Sequence, residues 1–304
     1  MSSQESSDWN GAVVRNRQPL QPITTAVSAE LKRLPGIKAV IFDVYGTLLV
    51  SGSGDVGSAD DSDRGDWIAA AIDACGIAVG SGRIPTMDDL RREIQRSNQQ
   101  RVSPSCPKPE VDIVAVWRRT LAGCGLEDPG DPKSAWTATC VRLAAEYESR
   151  ANPTWPMPAA VETLQKLSRM GMRLGIVSNA QGFTLPLVED LAGRFGVDSV
   201  FDANLCVFSN RYRQAKPGPR LFDVLCDGLR RAGMSPSDAI YVGNDRLNDV
   251  WAATQAGLRT AWFAGDRRSL RDRNDDPRVA GLDQDIILTR LEQLLDCIDD
   301  LSAD

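Results

Sequence analysis

The stretch KAVIFDVYGTLLV (38–50) decides the fold. Its residues run apolar and β-branched from Ala39 to Phe42, stop at Asp43, and turn at Gly46-Thr47. An apolar run this short, with no polar alternation, reads as a strand buried on both faces, and such strands belong to parallel sheets. A sheet of that kind needs helices on each side, and the chain beyond residue 158 supplies them. AAVETLQKLSRMG (159–171) has helical spacing, and MRLGIVSNA (172–180) is a strand ending at Ser178-Asn179. TLPLVEDLAGRFG (184–196) is helical, NLCVFS (204–209) a short strand, and GPRLFDVLCDGLRRAG (218–233) helical. DAIYVGND (238–245) is a strand with a polar end, DVWAATQAG (249–257) a helix, RTAWF (259–263) a strand, and LTRLEQLLDCIDDL (288–301) an amphipathic helix. Repeated βα units predict a doubly wound, three-layer α/β core of about five or six strands.

Between the first strand and this series there is no convincing strand. SGSGDVGSADDSDRGD (51–66) is Gly, Ser and Asp and reads as loop; it lacks the Gly and Glu positions of a calcium-binding loop. Four helical patterns follow, at 66–79, 87–100, 111–125 and 134–150, as in a small bundle inserted into the core. NPTWPMP (152–158) reads as a stiff connector, because proline cannot continue a helix. The expected organisation is an unstructured tail over 1–35, a core formed by 36–54 and 153–304, and a helical insert over 55–152.

Composition narrows the chemistry. The net charge of −6 argues against wrapping a nucleic acid, which needs a broad basic field. No apolar run reaches the ~20 residues of a membrane span, and the N-terminus has no signal-type apolar stretch. Seven cysteines with no CxxC pair fit reduced thiols, so a cytoplasmic protein is expected. The chain has no histidine. That removes Ser-His and Cys-His hydrolases and histidine-held metals, and leaves catalysis to carboxylates, Lys, Arg, Tyr, Ser or Cys.

Ligands of open parallel sheets bind beyond the carboxyl ends of the strands. Asp43, Ser178-Asn179 and Asn244-Asp245 all fall at such ends, and Lys216 precedes a helix. DVYGT (43–47), VSNA (177–180), AKPGPRLF (215–222) and YVGNDRLNDVWAATQAG (241–257) resemble, in order and spacing, the four motifs of the haloacid dehalogenase (HAD) superfamily. The resemblance covers roughly residues 36–300, and the helical insert is similar to the family's C1 cap. It implies a hydrolase with Asp43 as covalent nucleophile and Ser178, Asn179, Lys216 and Asp249 around it. Ser178, Lys216 and the main-chain N–H groups at Gly46 and Thr47 would hold the substrate's oxygens. Magnesium, which favours carboxylate, carbonyl and water oxygens, would be held by Asp43, the Tyr45 carbonyl and either Asn244 or Asp245.

The position two residues after the nucleophile holds Tyr45, where phosphatases of this family carry an aspartate as general acid–base. Tyrosine there is similar to the 2-haloacid dehalogenases, which need neither a leaving-group proton nor a metal. Against that, 66–79 has no Arg or Lys to cradle halide, and the fourth motif has Asp245 and Asp249 where dehalogenases are Ser-Asn rich. The reading is a magnesium-dependent phosphatase acting on a small anionic substrate. A metal-independent 2-haloacid dehalogenase is the rival, and a non-catalytic binding protein on a degenerate HAD scaffold is the alternative from another class. Arg211, Arg213 and Arg220 read more readily as a solvated face than as an anion receiver, and Trp67, Trp117 and Trp136 as bundle packing. A homodimer through the insert's helices and a solvent-facing insert are equally compatible with the sequence.

Overall fold

The computed structural model describes residues 13, 16–53, 64–126, 135–193 and 200–303. Six parallel strands form the core sheet: β1 (Ala39–Phe42), β4 (Arg173–Ser178), β5 (Cys206–Phe208), β6 (Ala239–Gly243), β7 (Arg259–Phe263) and β8 (Ile286–Leu288). Their spatial order is β5-β4-β1-β6-β7-β8, so β1 is central and the order reverses around it. This is the predicted doubly wound α/β class.

Burial on both faces explains the unbroken apolar run of β1. Val40 and Phe42 pack into one core cluster with Leu164 and Leu167 of α5 (Ala160–Arg169). Ala39 and Ile41 pack into a second cluster with Leu221, Phe222 and Leu225 of α7 (Arg220–Arg231). Successive side chains of a strand point to opposite faces, so Asp43, next in the alternation, follows the face of Ile41 and Tyr241.

The insert contributes α1 (Arg64–Ala74), α2 (Met87–Gln99), α3 (Ile113–Gly123) and α4 (Ala135–Ala151), matching the four periodic patterns. The connector 152–158 is not merely a spacer. Thr154–Pro156 forms β3, which pairs antiparallel with β2 (Leu49–Ser51). Proline is tolerated there because a two-stranded ribbon leaves one side of each strand free of ladder bonds. Ser51 Oγ donates to Asn152 Oδ1 (2.7 Å), closing the neck through which the chain leaves and re-enters the core.

Two further expectations are corrected. The tail over 1–35 is structured across its described part, 13 and 16–35, and 1–12, 14 and 15 lie outside the described residues. Glu30 pairs with Ile287 at the edge of β8, Leu34 N donates to Cys297 O (2.7 Å), and Ile23 N donates to Asp266 Oδ1 (2.9 Å). A strap held by backbone hydrogen bonds needs no apolar periodicity, so the sequence carries no sign of it. The helix expected over 288–301 is instead a short strand followed by 3-10 turns at Leu291–Asp296 and Leu301–Ala303. Leu291, Leu294 and Cys297 are buried at intervals of three, the period of a 3-10 helix. Among the described residues no helix is long and apolar enough to cross a membrane.

Candidate active site

Asp43 continues β1 by one backbone bond, from its N–H to Val242 O (2.9 Å), and its carboxylate is buried at the carboxyl end of the sheet. Lys216 reaches it from the loop before α7. The ammonium Nζ donates to Asp43 Oδ1 (2.8 Å), Asp249 Oδ1 (2.5 Å), Tyr241 Oη (2.9 Å) and Val177 O (3.3 Å). Burial pulls the lysine pKa down, but Asp249 and Asp43 push it up by more, so the group keeps its charge. Burial also raises the Asp249 carboxyl well above the usual range; Lys216 opposes this, and Asp43 and Asp245 reinforce it. The centre is a desolvated cation shared by two carboxylates.

Local sequence explains how these groups meet. Asn179 Oδ1 accepts the Lys216 N–H (2.7 Å), tying the lysine loop to the end of β4. Gly243 leaves no Cβ, and the Asp249 carboxyl fills that space: a Cβ there would lie 2.4 Å from Asp249 Cγ. Asp249 sits in a π-helical turn, Arg246–Trp251, a distortion often found at functional sites. Gly46 has φ +81° and lies so close to Ser269 that a Cβ would fall 2.3 Å from Ser269 Cβ. Glycine is required there on both counts.

Several predicted roles change. Gly46 N–H donates to Leu49 O (2.7 Å) and Thr47 N–H to Val44 O (3.3 Å), so neither main-chain donor is left for a substrate oxygen. Thr47 acts through its hydroxyl, which donates to Asn244 Oδ1 (3.1 Å). Ser178 Oγ donates to Asn179 O (3.1 Å). Asp245 is not placed as a metal ligand. Its oxygens accept from Leu247 N and Asn248 N at the start of the helical turn and from Arg273 Nε and Nη2 (3.0 and 2.6 Å). The turn needs a cap and the arginine a partner, and Asp245 serves both.

Asn244 stays beside the turn that follows Asp43, with its Nδ2 on Ser269 O (2.5 Å). The buried Ser269 hydroxyl next to it has no hydrogen-bond partner. Ser269 and Asn244 both lie against the Gly46 turn, and with Asp43 and the Tyr45 carbonyl they would offer magnesium an all-oxygen set. It holds a single carboxylate, and among the described residues no three Asp, Glu, Cys or His side chains group as metal ligands.

Tyr45 is buried, and its hydroxyl shares a hydrogen bond with Thr184 Oγ1 (2.9 Å). Burial, then Glu148 and Asp43, raise the phenol far above its ordinary value despite the Thr184 bond. It stays neutral and cannot serve as a base. Arg213 is paired with Asp112 (3.3 Å), while Arg211 and Arg220 stack on Phe208 and Tyr212, so these arginines pack and pair away from the centre. Tyr241, Ser269 and Arg273 were missed in the sequence. Tyr241 lies within an apolar strand and reads as core, and the other two belong to a loop without a motif.

A family model for haloacid dehalogenase-like hydrolases matches residues 37–257. The chain belongs to this family. Relatives along most of the chain include the glyceraldehyde 3-phosphate phosphatase of Methanopyrus kandleri, 29% identical over 88% of this chain and 100% of that protein. The phosphoglycolate phosphatase 1 of Pseudomonas aeruginosa is 28% identical over 88% of this chain and 81% of its own length. A 2-haloacid dehalogenase from Pseudomonas syringae shares the fold, with a TM-score of 0.55 at 24% identity over 86% of this chain and 97% of that one.

Proposed function

We propose that this HAD hydrolase is a phosphomonoester phosphatase that works through an aspartyl-phosphate at Asp43. The observation that carries the reading is the Asp43–Lys216–Asp249 centre: a carboxylate at the mouth of the sheet beside a permanently charged, preorganised ammonium. The phosphatase names of relatives along nearly the whole chain support it. Asp43 attacks phosphorus as the P–O bond to the alcohol breaks, and Lys216 stabilises the charge on the phosphoryl oxygens. Asp249 and Tyr241 hold the ammonium in place. Magnesium bound by Asp43, the Tyr45 carbonyl and Asn244 would screen the nucleophile from the phosphate.

With one carboxylate in its set, the protein would bind that metal weakly and draw on the substrate's own phosphate as a ligand. Asn244→Asp adds a second carboxylate and is expected to tighten magnesium about tenfold or more, read by calorimetry on the substrate-free enzyme. An unchanged affinity removes Asn244 from the metal set.

Tyr45 shapes both steps. The carboxylic acid that would protonate the departing alcohol is missing from that position, and the buried neutral phenol there, its hydroxyl bonded to Thr184, offers no base to activate the water that releases phosphate. Turnover is expected to depend steeply on leaving-group acidity across a series of phosphomonoesters assayed with magnesium and with EDTA. Tyr45→Asp should raise turnover of alkyl esters about 10²-fold and flatten that dependence. Equal slopes in the two enzymes would deny Tyr45 this role, and absence of magnesium-dependent phosphate release would sink the phosphatase reading. Tyr45 also favours a second reading, 2-haloacid hydrolysis, because halide leaves without a proton; chloride release from 2-chloropropionate in metal-free buffer would establish it instead.

A further inference from the structure

The loop that carries Lys216 is held by the insert as well as by the core. Between α2 and α3 the insert runs antiparallel to this loop, with Pro109 bridged to Gln214. Glu110 N–H donates to Arg213 O (3.0 Å), and Ala215 N–H, one residue before the lysine, donates to Lys108 O (2.8 Å). The Gln214 side chain adds a bond from Nε2 to Ser105 O (3.0 Å) and accepts the Arg220 N–H at the start of α7 (3.0 Å). Arg213 stands in the left-handed region, at φ +58°. A residue with a Cβ keeps that conformation only where its surroundings hold it. Here the insert does the holding.

The Glu110 side chain reaches the same loop by a second route. Oε2 accepts from Ser209 Oγ (2.6 Å), just beyond β5, and Oε1 accepts from Gln181 Nε2 (2.7 Å), in the loop after β4. Both partners are buried. With its hydroxyl hydrogen on Glu110, Ser209 Oγ turns a lone pair to the Ala180 N–H (2.8 Å). Ala180 follows Asn179, whose Oδ1 accepts the Lys216 N–H (2.7 Å). Glu110 therefore supports the lysine through the main chain of 213–215 and, separately, through Ser209 and the Asn179 turn. Both side-chain neighbours donate, which explains an acceptor-only carboxylate at this position.

We propose that Glu110 is a positioning residue for the reaction, and that it acts on Lys216 through the lysine loop rather than on the substrate. The reaction it serves rests on the phosphatase reading; the contacts that hold the loop do not. Lys216 helps only if its ammonium is already in place when charge develops on the phosphoryl oxygens. A misplacement of about 1 Å in such a group can cost on the order of 10²-fold in rate. The insert thus contributes to the chemistry by fixing a core loop.

The test compares Glu110→Leu and Glu110→Gln in the full chain, with 4-nitrophenyl phosphate and magnesium. Leucine keeps the bulk and removes both acceptors. Glutamine keeps an oxygen for Gln181 Nε2 and turns its amide to Ser209 Oγ, whose hydrogen can move to Ala180 O (3.2 Å). Glu110→Leu is expected to lower kcat about tenfold or more with KM within about twofold, and Glu110→Gln to restore most of the rate. Ser209→Ala, which breaks only the second route, should lower kcat in the same direction and stands in should Glu110→Leu misfold. Hydrogen exchange gives a readout free of activity: amides of 213–216 should exchange about tenfold faster in Glu110→Leu, with α1 and α3 unchanged. Unchanged kcat in both Glu110→Leu and Ser209→Ala, a rise in KM alone, or a loss that glutamine does not restore overturns the proposal. Faster exchange throughout the insert would also overturn it, since Glu110 would then hold the insert's own fold. If the wild-type chain cleaves no phosphoester, the phosphatase reading fails by itself, and faster exchange confined to 213–216 and reversed by glutamine still upholds the positioning of the loop.

Discussion

Asp43→Asn is expected to lower kcat for any phosphomonoester by at least about 10³-fold while leaving the fold intact. An amide oxygen is a poor nucleophile, and the neighbouring candidates among the described residues are engaged: Asp249 is held by Lys216. Ser178 donates to its neighbour's carbonyl, Thr47 donates to Asn244, and the Tyr45 phenol is held far above its ordinary pKa. Stability should change little, because Lys216 keeps its 2.5 Å bond to Asp249 and the amide oxygen still accepts from the ammonium. Thermal melting and steady-state rates on one preparation check both halves. A variant that retains a tenth of the activity would remove Asp43 from the chemistry.

The second large effect falls on stability. Lys216→Met leaves two buried carboxylates with no cation between them. Breaking a buried charge pair from one side costs about 3–5 kcal/mol. The site would answer by binding a proton. Asp249 is raised even beside the lysine, and without it the carboxyl rises further. Between the usual carboxylate range and that raised value the folded chain then binds more protons than the unfolded one. Stability of the variant therefore falls as pH rises through this window. Denaturant unfolding at acid and at mildly alkaline pH should show the deficit growing with pH, alongside lost activity. A deficit independent of pH would mean that the lysine acts by packing rather than by charge.

Much of the core was legible because buried strands and amphipathic helices have distinct periods. β1, β4 and β6 show apolar runs that end in polar residues, and those ends are the site. β8 escaped because three residues, Ile286–Leu288, give no period to read. The strap over 16–35 escaped because main-chain hydrogen bonds hold it. In the site, Asp43, Lys216 and Asp249 converge as their motifs implied. Asp245 did not, because adjacent residues at a strand end point to opposite sides and sequence alone cannot say which faces Asp43. Only the structure shows that Arg273, from a loop 28 residues on, claims it. Tyr241 was hidden for a related reason: a tyrosine in an apolar strand looks like core until its hydroxyl is found on Lys216.

The central claim is a covalent phosphoryl-enzyme at Asp43, and rapid acid quench of the wild-type enzyme with an aryl phosphate tests it most directly. With Tyr45 unable to activate water, release should be slow, so a burst of phenol approaching one equivalent is expected. Intact mass should show a single phosphoryl group, and peptide mapping should place it on Asp43. Linear phenol release with no adduct, or an adduct that persists in Asp43→Asn, would contradict the account.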